Sequence, residues 1–323
     1  MNVKQFSESC GLCVVDIGAS GGLSEPFRHK PNIQAIFVEP DERAATELER
    51  QFPGVRLLRT ALSNTNGRIP FYLARDQECS SCLEPNMDFL SRFPNPERFA
   101  TVRRLELDSA TLDSQMAAVG ADPDFIKLDV QGYESHILEG SARCLTRTMG
   151  AIIEVEFVPL YHGQKLFPDV HLTMTAAGFE LYDLQRSFWK RSANGRFPMA
   201  RGQCLFGNAL YLKSPETIVK MYGDDPNKLY NAARLYHLFG YGDLLEVISD
   251  LLEHEAPSVA AHARKLASDL IHEETTPVSF LRKKMHGAIV RLERLCRRLR
   301  KRLLLTDHFA QNDADLGNTI TRP

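Results

Sequence analysis

Two carboxylates and a group of glycines near the start of the chain have types and spacing that suit ligand binding. Asp16 comes near the end of an apolar run, and three glycines follow within residues 18–22. A second acid, Glu39, directly follows the apolar run 35–38. Carboxylates accept hydrogen bonds from hydroxyl and ammonium groups, and glycines let the backbone come close to a ligand. These residues therefore predict a nucleotide-binding cradle.

Asp16 and Glu39 can act on one ligand only if the strands that carry them end at the same edge of a sheet. Continuous apolar runs are typical of buried parallel strands, whose carboxyl ends border the ligand crevice of an open α/β sheet. Runs of this type are 14–17, 35–38, 55–58, 124–129 and 150–158. Residues 179–184 and 205–213 are predicted to form a closing pair of strands. We therefore predict an α/β fold with a doubly wound, mostly parallel sheet. Two alternating segments, 68–73 and 102–107, are predicted as further strands, the first of them paired at the sheet edge.

The spacing of the first turn separates two kinds of nucleotide cradle. A dinucleotide fingerprint keeps its ribose-binding acid about 20 residues beyond the glycines, whereas Asp16 lies inside the strand end. The pattern Asp-x-Gly-x-x-x-Gly resembles the first motif of S-adenosylmethionine (SAM)-dependent methyltransferases. SAM carries an ammonium, a sulfonium and ribose hydroxyls, which suit acids near the turn. A nicotinamide-binding enzyme is the alternative that the in-strand acid argues against.

The cradle gives a set of candidate cofactor contacts. Glu39 is expected to accept hydrogen bonds from a ribose diol; the alternative is a cap for the helix predicted over 42–52, a role that Asp41 fits better. After the third strand, residues 61–62 lie where an adenine edge meets backbone groups. The predicted SAM contacts are Asp16, Gly18, Ser20, Gly22, Glu39, Ala61 and Leu62.

A second strand, turn and helix, 124–134, repeats the pattern of the first. Its acid, Asp129, is expected beside Asp16 at the same sheet edge, facing the methyl group to be transferred. Lys127 shares that strand face and is expected to form an ion pair, either within the site or with a sheet acid. The repetition predicts that two strand ends build one site.

Methyl transfer to a neutral hydroxyl benefits from a general base. Glu154 and Glu156 share one face of the next strand because a single residue separates them, and buried acids favour a site. His162 lies in the loop that follows. The candidate catalytic residues are Asp129, His162 and Glu154.

Candidate acceptor contacts come from loops around the crevice. The long polar segment that contains 80–86 is predicted to act as a lid. Trp189 belongs to a basic and aromatic patch with Arg186, Lys190 and Arg191. Such a patch suits a sugar or an anionic acceptor, and a surface loop with one buried tryptophan is the alternative. The predicted acceptor contacts are Ser81, Lys127, Glu134, Glu156 and Trp189.

Five segments occur in the order that is typical of the FkbM family of SAM-dependent methyltransferases, which the chain resembles. They are VDIGASGG at 15–22, ALS at 61–63 with FY at 71–72, SSCLEPN at 80–86, TLD at 111–113 and IKLDVQGYE at 126–134. The resemblance covers about residues 12–215 and departs at Ser20, where asparagine is common. It implies a class I, Rossmann-like methyltransferase fold, SAM as the cofactor, and O-methylation of a glycan, sugar or other small polar acceptor.

The second half of the chain changes character. A methyltransferase domain is predicted over 1–215, a helical extension over 226–305 and a disordered tail over 306–323. Amphipathic helices are expected at 229–239, 244–253, 258–271 and 281–305. Although the net charge is −2, residues 281–302 carry ten Lys and Arg against one acid. This helix suits docking on the acidic body, self-association, a protein partner or an anionic membrane surface, with nucleic acid less favoured.

Composition excludes several classes of protein. A content of 43% hydrophobic and 25% charged residues is typical of a soluble globular protein. No apolar run suits a membrane span and no leader opens the chain, so we expect a cytoplasmic protein, with the basic helix as a route to peripheral membrane binding.

Cysteine spacing does not predict a disulfide framework or a metal site. The seven cysteines are spread along the chain, and Cys10-x-x-Cys13 and Cys79-x-x-Cys82 lie too far apart for a compact zinc site. The alternative to an enzyme is a catalytically silent SAM-fold scaffold that acts through its basic helix.

Overall fold

The computed structural model describes residues 11–192 and 202–275. The strands over these residues are β1 Leu12–Ile17, β2 Ile33–Val38, β3 Arg56–Leu58, β4 Ala61–Leu62, β5 Gly67–Ala74, β6 Thr101–Ala110, β7 Phe125–Leu128, β8 Gly150–Glu156, β9 Glu180–Trp189 and β10 Gln203–Leu212. The α-helices are α1 Glu42–Gln51, α2 Met87–Leu90, α3 Leu112–Val119, α4 Glu134–Glu139, α5 Ala142–Arg147, α6 Phe167–Ala176, α7 Pro215–Tyr222, α8 Pro226–Leu238, α9 Gly242–Leu251 and α10 Pro257–Thr275.

Seven strands form one sheet in the order β3-β2-β1-β7-β8-β10-β9. The first five are parallel, β10 runs antiparallel to β8, and β9 runs antiparallel to β10. The apolar runs end in these parallel strands because helices cover both of their faces. The predicted doubly wound, mostly parallel sheet with a closing strand pair is confirmed.

The strands predicted over 68–73 and 102–107 are confirmed as β5 and β6, but the pairing of the first at the edge of this sheet is wrong. Strand β5 pairs with β6, and both belong to a separate three-stranded sheet in the order β4-β6-β5. Most side chains at the start of β6 are exposed. Alternating strands of this kind suit a sheet with one solvated face, whereas the two edges of the main sheet are formed by β3 and β9.

Helices α7, α8, α9 and α10 pack on one face of the main sheet. Leu12, Val14 and Phe125 from the strands share a hydrophobic core with Leu245 and Ile248 from α9. The three helices predicted over 229–271 are confirmed, each with slightly different bounds. The basic helix predicted over 281–305 and the tail from 306 lie outside the described residues. Within the described ranges, no helix combines the length and apolar character that a bilayer crossing requires.

The polar segment between β5 and β6 folds against the carboxyl edge of the sheet. It contains two short 3-10 helices, Gln77–Cys79 and Pro96–Phe99, with α2 between them. Phe93 and Phe99 from this segment share an aromatic cluster with Trp189 at the end of β9. The segment predicted as a lid therefore forms one wall of the crevice.

Candidate active site

A cavity of about 400 Å³ opens at the carboxyl ends of the parallel strands. Its wall includes Gly18 after β1, Glu39 after β2, Asp129 after β7 and Glu154 in β8. The residues are brought together because parallel strands end at one edge, although their positions in the sequence are far apart. The size falls in the range of small-molecule sites, about 300–1,000 Å³.

The first turn brings backbone close to backbone. Gly18 has a φ of +75°, and a Cβ at this position would lie 1.9 Å from the Asp129 carbonyl oxygen. Ser20, a predicted SAM contact, lines the cavity. Gly22 does not line it; a Cβ there would lie 2.3 Å from the Phe52 ring. Position 18 therefore requires glycine because the Asp129 carbonyl lies so close, and position 22 requires glycine because the Phe52 ring does.

Asp16 is fully buried and turns away from the cavity wall. Its Oδ1 accepts a hydrogen bond from Lys127 Nζ at 3.1 Å, and its Oδ2 has no partner among the described residues. Burial raises the pKa of Asp16 to about 6 in spite of the lysine. The lysine pKa is also raised, because its charge is favoured by Asp16 and Asp129. The predicted ion pair of Lys127 is present, and Asp16 acts on the site through it.

Glu39 lies on the cavity wall with a side chain that is only 6% exposed. Its Oε1 accepts a hydrogen bond from the Asp41 N–H at 2.9 Å, and burial raises its pKa to about 7. The Asp41 side chain instead caps α1 by accepting from the Arg43 N–H at 2.9 Å. Glu39 is thus positioned for a ligand while Asp41 takes the capping role, and Ala61 and Leu62 line the wall nearby.

Gln131 links the two acids on the next strands. Its Nε2 donates to Asp129 Oδ1 at 3.0 Å and to Glu154 Oε2 at 2.9 Å. Gln131 holds a left-handed backbone conformation, φ +58°, which is uncommon outside glycine and marks local strain. Sequence reasoning did not single out this residue, although its place directly before Gly132 in the turn was a signal. The turn therefore fixes the distance between the two carboxyl groups.

Asp129 and Glu154 differ in environment. The Asp129 side chain is 32% exposed and lies 3.9 Å from Lys127 Nζ. The pKa of Glu154 is raised well above its ordinary value by burial and by the charge of Asp129. The pair therefore places an accessible carboxylate beside a carboxyl group that retains its proton.

Two predicted acceptor contacts support the turn instead of lining the cavity. The Ser81 hydroxyl donates to the Gln131 carbonyl oxygen at 2.8 Å. Glu134 Oε1 accepts from the N–H groups of Val130 and Gly132 at 2.8 and 3.2 Å. Both side chains are buried and neither is on the cavity wall. They hold the backbone that carries Gln131.

Glu156 completes a buried carboxyl cluster with Glu134 and Glu154, in which one oxygen of each lies within 4.8 Å of the others. Burial and the neighbouring carboxyl groups raise the pKa of Glu156 well above its ordinary value. The cluster lies behind the cavity, since only Glu154 of the three is on its wall. These groups share protons instead of carrying three full charges.

His162 does not reach the cavity. Its side chain is exposed and its N–H donates to the Glu84 carbonyl oxygen at 2.8 Å. The preceding residue, Tyr161, takes the inward position and donates from its hydroxyl to the Cys79 carbonyl oxygen at 3.0 Å. Adjacent loop residues point in opposite directions here, so the structure separates His162 from the other catalytic candidates.

The far end of the cavity is aromatic. Trp189, Phe206 and Phe99 line it, and the indole packs edge-on against Phe206 with ring centroids 5.7 Å apart. Arg98 lies on the same wall. Trp189 was predicted from its basic and aromatic neighbours, whereas Arg98 and Phe99 were missed because they come from the loop between β5 and β6. No pattern in the sequence links that loop to the end of β9.

Comparison with known proteins identifies the family of the chain. The model of the methyltransferase FkbM domain matches residues 16–181. The curated 2-O-methyltransferase NoeI of Sinorhizobium fredii is 30% identical in an alignment of 168 residues that covers 47% of this chain and 66% of that protein. The chain thus matches slightly less than two thirds of the length of this relative.

Two solved structures show more distant similarity. Magnesium protoporphyrin IX methyltransferase from Synechocystis PCC 6803, crystallised with SAM, is 12% identical, with 66% of this chain and 74% of that chain covered and a TM-score of 0.33. A TehB-like SAM-dependent methyltransferase from Corynebacterium glutamicum is 13% identical, with 66% and 85% covered and a TM-score of 0.31. The family assignment rests on the sequence match over residues 16–181.

The residues of the cavity fit SAM, the cofactor of this family. Glu39 presents a buried carboxyl group that suits a pair of ribose hydroxyls. At the turn of Gly18 and Ser20, the glycine lets a ligand approach the backbone closely. Ala61 and Leu62 line the cavity with apolar side chains and with backbone groups that can hydrogen bond. The predicted cofactor is confirmed by the family match.

Proposed function

The chain belongs to the FkbM methyltransferase family, and we propose that it transfers a methyl group from SAM to a hydroxyl oxygen of a sugar or other small polar acceptor. The observation that carries the proposal is the arrangement of Asp129 and Glu154 around Gln131 at the centre of the cavity. This arrangement offers one accessible carboxylate to an acceptor hydroxyl.

Cofactor binding is assigned to the β1 and β2 side of the cavity. Glu39, Gly18, Ser20, Ala61 and Leu62 would hold SAM there. When bound, SAM supplies an electrophilic methyl group on a sulfonium. The buried carboxyl group of Glu39 makes the cofactor end of the cavity polar. The positive charge of Lys127 lies behind the turn at the same end.

Proton transfer is assigned to Asp129. A neutral hydroxyl is a poor nucleophile, and a positioned base contributes about 10²–10⁴-fold to such reactions. Asp129 Oδ2 accepts the hydroxyl proton, since Oδ1 already accepts from Gln131. Glu154 keeps its own proton because burial and Asp129 raise its pKa. Glu154 therefore positions Asp129 through Gln131 and does not compete with it for the hydroxyl proton.

O-methylation is supported by the similarity to a 2-O-methyltransferase and by the composition of the cavity. The residues around Asp129 can hydrogen bond to hydroxyls, and the aromatic end can pack against the C–H face of a sugar ring. Positioning of donor and acceptor supplies much of the rate in displacements of this kind.

The test is transfer of a tritium-labelled methyl group from SAM to a panel of hydroxylated sugars, followed by location of the O-methyl group by NMR. We expect a product with wild-type protein and a loss of at least about 100-fold with Asp129→Asn. Asp243→Asn, which changes an exposed acid on α9, is the matched control. Equal turnover by Asp129→Asn and wild type would refute the assignment of the base, and absence of transfer to any hydroxyl would refute O-methylation.

A further inference from the structure

Arg98 is a cation on the cavity wall. Among the residues that the structure describes, none accepts a hydrogen bond from its guanidinium, and no carboxylate lies within 4.0 Å of it. Its Nε is buried and without a partner. Arg43 and Arg147, by contrast, are each held by an aspartate, Asp41 and Asp122. An arginine with five donors at a cavity, and with no acceptor in the described part of the chain, is poised for a ligand.

Two aromatic rings hold the Arg98 guanidinium in place. Its Cζ lies 4.4 Å from the ring centroid of Trp189 and 4.8 Å from that of Phe99. Both rings line the same cavity. A guanidinium that stacks on aromatic faces keeps its planar edge for recognition of carboxylate or phosphate, and less side-chain freedom is lost when that ligand binds.

The sheet topology places this end of the cavity beyond the proposed base. Strand β10 is four strands away from β2, and Phe206 on β10 pairs with Glu156 on β8. With about 4.8 Å between strands, Phe206 lies ~19 Å across the sheet from Glu39. Asp129 and Glu154 come from the strands in between. The aromatic end therefore lies on the acceptor side of the cavity.

We infer that the acceptor is an acidic sugar, with a pyranose ring against the aromatic wall and a carboxylate or phosphate bound by Arg98. This inference rests on the proposed function, because it names the acceptor class of the same site. The aromatic rings pack against the C–H face of the sugar. Arg98 binds the oxyanion of the sugar, and Asp129 accepts the proton of the hydroxyl to be methylated. Charge-assisted, bidentate hydrogen bonds from arginine give such sites much of their selectivity.

The chain carries its own reporter for this site. Trp189 is the only tryptophan among the 323 residues, and it touches Arg98. Its fluorescence therefore follows occupancy of the aromatic end without any need for methyl transfer. The full-length protein, saturated with S-adenosylhomocysteine, would be titrated with methyl β-glucuronide, glucose 6-phosphate and the neutral methyl β-glucoside.

We expect saturable fluorescence changes with the acidic sugars and binding at least about tenfold tighter than for the neutral glucoside. The stronger of the two acidic probes identifies the oxyanion as carboxylate or phosphate. Arg98→Gln should abolish the preference, and Arg98→Lys, which keeps the charge, should retain part of it. Arg92→Gln is the matched control, because Arg92 stacks on Phe89 at 4.8 Å but does not line the cavity.

Equal affinities for acidic and neutral sugars, no saturable response to either acidic sugar, or an unchanged preference in Arg98→Gln would overturn the inference. Calorimetric binding of S-adenosylhomocysteine by each variant shows that the fold and the cofactor end are intact. If the wild-type protein shows no preference for acidic sugars but still methylates neutral hydroxyls, the acidic acceptor alone is refuted. Arg98-dependent binding without transfer to any hydroxyl counts against O-methylation instead.

Discussion

The ammonium group of Lys127 lies 3.1 Å from the carboxylate of Asp16, and the register of β7 and β1 sets these two residues side by side. Asp16 is fully buried, so the lysine is what makes its charge tolerable. The pair stands directly behind the turn that carries Gly18 and close to Asp129. Stability and site geometry are therefore linked at this point.

Lys127→Met should destabilise the protein by about 3 kcal/mol or more near neutral pH, because it leaves a buried carboxylate without its partner. Urea unfolding measures the change. The double variant with Asp16→Asn should recover much of the loss, since no charge then remains buried. Arg68→Met removes an exposed pair with Asp108 at 3.6 Å and should change stability by less than about 1 kcal/mol. An equal loss of stability in Lys127→Met and Arg68→Met would contradict this account.

Gly18→Ala should damage the turn more than Gly21→Ala. Both residues have positive φ, +75° and +85°, so an alanine costs roughly 1 kcal/mol of backbone strain at either position. Only at Gly18 would the Cβ also meet the Asp129 carbonyl oxygen, while the space around Gly21 is open. We expect a lower Tm and lost binding of S-adenosylhomocysteine for Gly18→Ala, and near-normal binding for Gly21→Ala.

Cofactor affinity should depend on pH through Glu39. Burial raises its pKa to about 7, so acidification below that value protonates the group and weakens its acceptance of ribose hydrogen bonds. Calorimetry between about pH 8 and about pH 6 should show a rising Kd for S-adenosylhomocysteine. Glu39→Gln should bind more weakly at every pH and lose this dependence; a dependence that persists would assign it to another group.

The same group affects the stability of the ligand-free protein with the opposite trend. A carboxyl group with a raised folded-state pKa contributes stability that is fully present below its ordinary pKa of 4.5 and is lost as pH rises through about 7. Unfolding of wild type and Glu39→Gln across this window isolates the contribution. We expect the wild type to lose more stability with rising pH than the variant, and parallel curves would contradict the raised pKa.

Ile248→Ala tests whether the C-terminal helices and the sheet form one cooperative unit. Ile248 is fully buried in the core that α9 shares with β1 and β7, so the cavity should cost about 2–5 kcal/mol. Trp189 on β9 reports unfolding of the sheet, and its fluorescence should show a single transition at lower urea. Val247→Ala, on the exposed side of the same helix, should stay within about 0.5 kcal/mol. An early transition that Trp189 does not sense would indicate independent helices.

Local patterns predicted much of this protein. The apolar runs that end at Asp16 and Asp129 predicted buried parallel strands, because such strands are covered on both faces. The order of five segments, from 15–22 to 126–134, indicated the family and its cofactor. Helix positions from 226 to 275 followed from amphipathic spacing and from proline and glycine boundaries.

The direction of individual side chains could not be predicted in the same way. Asp16 was expected on the cavity wall, yet strand pairing turns it toward Lys127. His162 was a candidate catalytic base, yet Tyr161 takes the inward position in that loop. These choices depend on neighbours that are far away in the sequence.

The sequence by itself determined the strand ends, the glycine turns and the acids between them, since these depend on local periodicity and backbone conformation. Only the tertiary structure decided which acids face the cavity, how Gln131 joins Asp129 to Glu154, and that Arg98 meets Trp189 from a distant loop. The physical reason is that these contacts join segments separated by up to 111 residues, and their energies depend on packing and burial that local patterns do not encode.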